Sequence, residues 1–221
     1  YQDSRFMVVG TPSGITLAPE GGAHQSIATP LIGIGQPGIA SFEPAYADEL
    51  AEVMRWGFNY MQSDEGGSVY LRLSTKPLVQ VDRLIEDELV EGIISGAYWR
   101  RRPTSGSKGA IVYMGVIAPE AEAAQTQLSV EDGAPGLLAV TSPDRLYRDW
   151  LLRGNDSYIS GLLAELKPEA SLLTVLDGHP ATLSWLAGVR GHRNKPLGVY
   201  DFGQCGNLRR LYAEQDRKSV V

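Results

Sequence analysis

Two hydrophobic rhythms alternate along the chain. Phe6 to Val9 is a short apolar run closed by Gly10 and Pro12, the pattern of a buried strand entering a loop. Ile32 to Ile34, closed by Gln36, Pro37 and Gly38, predicts a second short strand, and Ile39 to Phe42 a third. From Pro44 the period becomes helical. Asp48 and Glu49 fall in the early turns, and Leu50, Val53, Met54, Gly57 and Met61 recur on one face. Trp56, Phe58 and Tyr60 widen that face and read as core rather than as an aromatic ligand box. Asp64 to Gly67 ends the helix, and Ser68 to Ser74 alternates as a strand. A strand, a helix and a strand of these lengths predict a parallel α/β unit.

The pattern changes over residues 76–108. Pro77, the acidic Glu86-Asp87-Glu88, the triplet Arg100 to Arg102 and the polar Pro103 to Lys108 read as a connection with some strand or helix inside it. The triplet reads as solvated, with docking on a neighbouring domain as the alternative. A second α/β rhythm follows. Strands are expected at Ala110–Met114, Leu137–Thr141, Leu172–Leu176 and Leu197–Val199. Helices are expected from Ala118-Pro119-Glu120, from Ser142-Pro143-Asp144, over residues 157–166, from Pro180 with Leu183, Leu186 and Ala187 on one face, and from Asn207 to Gln215. The expected fold is two α/β domains with mainly parallel sheets covered by helices on both faces. Their expected bounds are residues 1–78 and 109–221, with 79–108 as the linker.

Composition narrows the function. The chain has 221 residues, 43% of them hydrophobic, enough for a substantial core. Its net charge of -6 and the lack of a long Lys/Arg run argue against a nucleic-acid partner. The single cysteine, Cys205, excludes an internal disulfide and fits a reducing, cytoplasmic setting. No stretch reads as a signal peptide or as an apolar membrane span. The chain opens on Tyr1 rather than Met and stops at Val221 just after a helical pattern, as a piece of a longer protein would.

The candidate chemistry centres on residues 14–43, where Glu20, Gly21, Gly22 and His24 share one loop. Paired glycines let the backbone turn sharply and approach a ligand closely. A carboxylate and an imidazole on such a turn can exchange protons or grip a polar substrate. On pattern alone, a glycine-rich surface loop with a solvated histidine is the simpler reading. Asp177-Gly178-His179-Pro180 follows a buried strand at its carboxyl end, where open α/β sheets bind ligands; a tight strand-to-helix turn explains it more simply. His192, between Arg190 and Arg193, reads as exposed. Cys205 reads as inert. Asp201-Phe202-Gly203 has kinase lettering without kinase context and reads as a loop. Gly33, Gly35 and Gly38 have dinucleotide-fingerprint spacing, but Pro37 interrupts it and a strand follows where a helix is needed. No Cys/His cluster has metal-ligand spacing, and no Walker sequence is present.

The stretch Gly14 to Tyr46, with Pro-Glu-Gly-Gly-Ala-His-Gln-Ser at its heart, resembles the pyrimidine-binding domain of transketolase-like thiamine diphosphate enzymes. The nearest flavour is the single-chain E1 component of bacterial pyruvate dehydrogenase. Leu197 to Arg209, with Tyr-Asp-Phe-Gly-Gln-Cys-Gly-Asn-Leu-Arg, resembles that family's C-terminal domain. The resemblance implies a three-domain homodimer with cofactor held between subunits, of which this chain is the back of the middle domain and most of the last. It implies thiamine diphosphate and Mg2+ in the complete enzyme, and a lipoyl-bearing E2 partner if it is a dehydrogenase. The diphosphate and magnesium domain, and the segment carrying the family's ylid-forming glutamate, are not in this sequence, so the chain alone is expected to bind neither and to be inactive. By resemblance His24 and Glu20 are the catalytic residues, and His24, Glu20 and Gln25 the substrate-binding ones. His24 would donate a hydrogen bond to a substrate carboxylate or carbonyl, and Glu20 would line the entrance. Two departures separate this chain from sugar-handling transketolases. Gly22-Ala23 stands where they have Pro-Thr, and Ser74-Thr75 stands where they have a phosphate-gripping Ser-Arg, although Lys76 is near. Both tip the expectation from a sugar phosphate toward a small 2-oxo acid.

Overall fold

The computed structural model describes residues 4–11, 13–129 and 133–219. Tyr1, Pro12 and Val221, named above, lie outside them. The first sheet is wholly parallel: β1 (Met7–Gly10), β2 (Ile39–Phe42) and β3 (Ser68–Arg72) run in the order β1-β3-β2. The second contains β4 (Ala97–Arg101), β5 (Gly109–Met114), β6 (Gly136–Val140), β7 (Ser171–Leu176) and β8 (Arg193–Leu197), ordered β4-β6-β5-β7-β8. Only β4 is antiparallel to its neighbour. The helices are α1 (Ile32–Gly35), α2 (Ala47–Tyr60), α3 (Asp87–Ser95), α4 (Ala118–Leu128), α5 (Pro143–Arg153), α6 (Tyr158–Leu163), α7 (Ala181–Ser184), α8 (Leu186–Arg190) and α9 (Leu208–Ser219). The chain is therefore α/β, with mainly parallel sheets flanked by helices.

Central strands β5 and β6 are buried along their whole length, so both of their faces meet apolar cover. Leu146, Ile159, Leu163, Leu183 and Leu186, from α5 to α8, pack on one face. On the other, Ile111, Tyr113 and Leu137 join Phe42, Val53, Val69 and Leu71 in one core, so the two sheets share apolar packing. Helix α2 starts where its sequence says it should. Glu49 Oε2 accepts from Ala45 N at 2.7 Å and Tyr46 N at 3.2 Å, which satisfies amides that a helix start leaves open. Val53 and Gly57 are buried beneath it. Helix α5 is tied to the first sheet at its start: Asp144 Oδ2 accepts from Ser41 N at 3.2 Å, and Ser142 Oγ donates to Ser41 O at 2.6 Å.

The structure corrects several local readings. Ile32 to Ile34 is not a strand but lies in the short helix α1, after a turn containing Pro30. A three-residue apolar run carries no period to tell the two apart. The first strand is not buried: β1 is an edge strand, with Val8 and Val9 exposed. Phe58 is exposed rather than core. The last strand ends at Leu197 instead of beginning there, because its polar residues Arg193 to Lys195 form the outer ladder with β7. His192 is not exposed but buried, with Nδ1 3.2 Å from Ala170 O. The arginine triplet is largely solvated, as expected, with Arg101 and Arg102 exposed; it is also paired, Arg100 with Glu122 at 3.0 Å, Arg101 with Gln125 at 2.5 Å, and Arg102 with Glu88 and Glu165.

Candidate functional site

The chain leaves β1 and enters a helical turn at Ile15–Leu17. Its open amides point at one carboxylate from the second sheet, Asp177, just past the end of β7. Gly14 N donates to it at 3.0 Å, Ile15 N at 2.7 Å and Thr16 N at 3.2 Å, and the Thr16 hydroxyl donates as well. Asp177 is buried, and several donors to one carboxylate make up for its lost hydration. Glycine is needed at position 14, since a Cβ there would sit 2.7 Å from Asp177 Oδ1.

The next loop carries the residues nominated from sequence. Glu20 is exposed and accepts from Thr75 Oγ1 at 2.8 Å. Gly21 turns the chain at φ 121°, in the left-handed half of backbone space that glycine tolerates. His24 closes the turn Gly22–His24 and is exposed. Gln25 Nε2 donates to Gln204 O at 2.9 Å, and Gly22 N to Cys205 Sγ at 3.1 Å. The two stretches that carry the family resemblance, far apart in sequence, thus lie against each other. Glu20, His24 and Gln25 sit on this one loop, at the seam between the two halves.

Below that loop lies a polar cluster that the sequence reading missed. Arg72, at the carboxyl end of β3, is buried and pairs with Glu43, just past β2, at 2.6 Å. The same guanidinium donates to Thr29 Oγ1 at 2.9 Å, Asp177 O at 2.9 Å and Ser26 O at 3.3 Å. Gly115, after β5, holds φ 64° and leaves room for the carboxylate; a Cβ would come 2.4 Å from Glu43 Oε1. The carboxyl ends of β2, β3, β5 and β7 therefore converge here, the usual ligand side of open α/β sheets. Burial pushes the Glu43 carboxyl up to about 7, outweighing the opposing pull of Arg72. The sequence marked only Asp177, at the end of a buried strand; Arg72 and Glu43, single charged residues at strand ends, look solvated until the opposing sheet is placed.

A cavity of about 200 Å³ opens beside the cluster, lined by Glu43, Tyr46, Arg72, Ser74 and Lys76. A second, of about 260 Å³, lies between Ile15, Glu120, Leu173, Asp177 and Tyr212. Glu20 and His24 line neither. Lys76 Nζ pairs with Glu120 at 2.6 Å. His179 Nδ1 accepts from Ala181 N at 3.2 Å, the short-range bond of a strand-to-helix turn. Among the described residues no three His, Cys, Asp or Glu side chains gather as a metal seat. No helix among them is long and apolar enough to cross a membrane.

No family model matches the chain. The pyruvate dehydrogenase E1 component of Mycolicibacterium smegmatis is 32% identical over 154 residues, that of Mycobacterium tuberculosis 30% over 154, and that of Escherichia coli 28% over 147. The first alignment covers 67% of this chain and 16% of the relative, so the chain spans about a sixth of the length of the curated relatives it matches. Among solved structures, the transketolase of Campylobacter jejuni superposes with a TM-score of 0.71 at 17% identity, over 95% of this chain and 29% of that one. That of Leishmania mexicana gives 0.68 at 18% identity, over 95% and 28%. A chain described as "Split gene transketolase, inactive beta4 tetramer" gives 0.60 at 17% identity, over 97% of this chain and 64% of that one. In sequence the chain resembles pyruvate dehydrogenase E1 components, and in fold it matches the C-terminal part of the transketolase-like enzymes.

Proposed function

We propose that this chain is part of a thiamine diphosphate-dependent 2-oxo acid dehydrogenase E1 component, with pyruvate as the first substrate to test. In this reading residues 1–78 are the back of the pyrimidine-binding domain, 79–108 a linker and 109–221 the C-terminal domain. The complete homodimer decarboxylates the acid in the cytoplasm and passes the acyl group to the lipoyl group of an E2 partner. His24 donates to the substrate carboxylate or carbonyl, Glu20 lines the entrance, and Gln25 orients the loop between them. Exposure of His24 and Glu20 suits that role, because a substrate entering from solvent meets both.

The observation that carries the choice of substrate is Thr75. Where sugar-phosphate enzymes of the family place a cationic fork, this chain places a hydroxyl, and that hydroxyl is bonded to Glu20. Lys76, the nearby cation, is paired with Glu120. A phosphate arriving here meets no free bidentate donor from these two residues. The similarity to three pyruvate dehydrogenase E1 components supports the same choice. The test is an assay of the native full-length polypeptide with thiamine diphosphate and Mg2+. Decarboxylation of pyruvate with reductive acylation of a lipoyl domain is the expected result. Ketol transfer between sugar phosphates without 2-oxo acid decarboxylation overturns it and favours a transketolase.

The overlap with a split-gene chain supports a second reading, in which this chain is a separate, non-catalytic subunit or assembly module. A native polypeptide whose mass matches these 221 residues, inactive alone but activating a second polypeptide, is its signature.

A further inference from the structure

Glu20 and His24 are held by different halves of the molecule. Glu20 takes its hydrogen bond from Thr75, on the segment that follows β3 of the first sheet. The backbone around His24 is held by residues 203–206, on the loop between β8 and α9. Gly206 N donates to Ala18 O at 3.4 Å, before the turn. Gly22 N donates to Cys205 Sγ at 3.1 Å, inside it, and Gln25 Nε2 donates to Gln204 O at 2.9 Å, after it. The two glycine contacts are as close as backbone allows. A Cβ on Gly22 would lie 2.3 Å from Gly203 O, and one on Gly203 would lie 2.6 Å from Gln25 Cβ. The bracketing is therefore complete on both sides of an imidazole that is itself exposed.

We propose that the Gly203-Gln204-Cys205 segment is a positioning element that sets where His24 stands relative to Glu20. Within the Gly22–His24 turn, Gly22 N is held by Cys205 of the second half; the first half grips the loop further on, where Ser26 N donates to Ser13 O at 2.9 Å. Cys205, which reads as inert from sequence, has a structural task here: its sulfur accepts an amide hydrogen of the turn that carries His24. The segment acts through the backbone of residues 18–25 and does not itself touch substrate. The positional part of this inference is independent of the chemistry assigned to His24. Its kinetic consequence rests on the function proposed above.

The chain contains three histidines, so the imidazole C–H signals of His24 can be followed by NMR in the 221-residue protein. Cys205→Ala and Gly203→Ala are the test variants, and the signal of buried His192 is the internal reference for folding. The expected result is that His24 shifts or broadens in both variants while His192 stays in place. In the complete enzyme, kcat for the 2-oxo acid falls by about 10- to 100-fold with little change in KM, as small misplacements of a catalytic group do. Cys205→Ser, which keeps a polar acceptor, recovers part of the loss. If both variants fold and the His24 signals do not move, the positioning claim is overturned. If His24 moves but kcat does not, the positioning claim stands and the catalytic role of His24 falls.

Discussion

The Glu20–Gln25 loop and the Asp177–Arg72–Glu43 cluster both join the two sheets, by different means. The loop is largely exposed, and its cross-links to residues 203–206 run through backbone groups, a side-chain amide and one sulfur. The cluster is buried, and its cross-links run through charged side chains that have given up their water. A buried charge is costly unless paired, so each member of the cluster depends on the others. An exposed loop has no such penalty and can carry chemistry without holding the fold. The comparison teaches that the loop proposed for function and the residues placed for cohesion sit close together here and need not be the same.

The largest expected effect tests the cluster. Asp177→Ala removes the acceptor for three backbone amides and the Thr16 hydroxyl. The loss of stability is about 3–5 kcal/mol, read as a lower urea midpoint. A loss no greater than that of a surface substitution breaks the contrast drawn here.

Glu43 sharpens it. Its folded carboxyl titrates near 7, above the ordinary value of 4.5. Between those values the folded state binds more protons than the unfolded state, so this group's stabilising contribution is present below about pH 4.5 and is lost as pH rises through 7. From pH 5 to 8 the wild-type protein loses about 2–3 kcal/mol from this source. Glu43→Gln lacks that slope. Urea unfolding of both proteins at pH 5 and 8 checks it, and parallel slopes contradict the assignment.

The smallest expected effect tests the loop. His24→Ala changes stability by no more than about 0.5 kcal/mol, because an exposed side chain gives up little on removal. If the proposed function holds, the same change in the complete enzyme lowers 2-oxo acid turnover with little effect on cofactor affinity. A large drop in melting temperature instead makes His24 a structural residue.

Much of the fold was legible because parallel strands buried on both faces are written as continuous apolar runs. Gly109 to Met114 and Gly136 to Val140 are such runs, and Leu172 to Leu176 is nearly one. Helix starts were legible where proline and acidic residues mark them, as at Pro119 with Glu120 and Pro143 with Asp144. The errors fall where the local pattern is short or where cover is decided elsewhere. Phe6 to Val9 is apolar enough for a core but forms an edge. His192 is flanked by arginines yet packs against Ala170. Residues 101 and 102 are exposed as a charge run suggests, and only their partners, on helix α4 and at Glu88 and Glu165, come from the fold.

The chain's own order of residues determined the α/β rhythm, the glycine turn before His24 and the family likeness, since each rests on neighbours in sequence. Folding decided what lies across from them. Only the packed structure shows that Asp177 receives the amides of residues 14–16, that Arg72 clasps Glu43, and that Cys205 meets Gly22. The physical reason is range: periodicity and turn chemistry act over a few residues, whereas these contacts span 29 to 183 positions and exist only once the strands have paired and the two halves have packed.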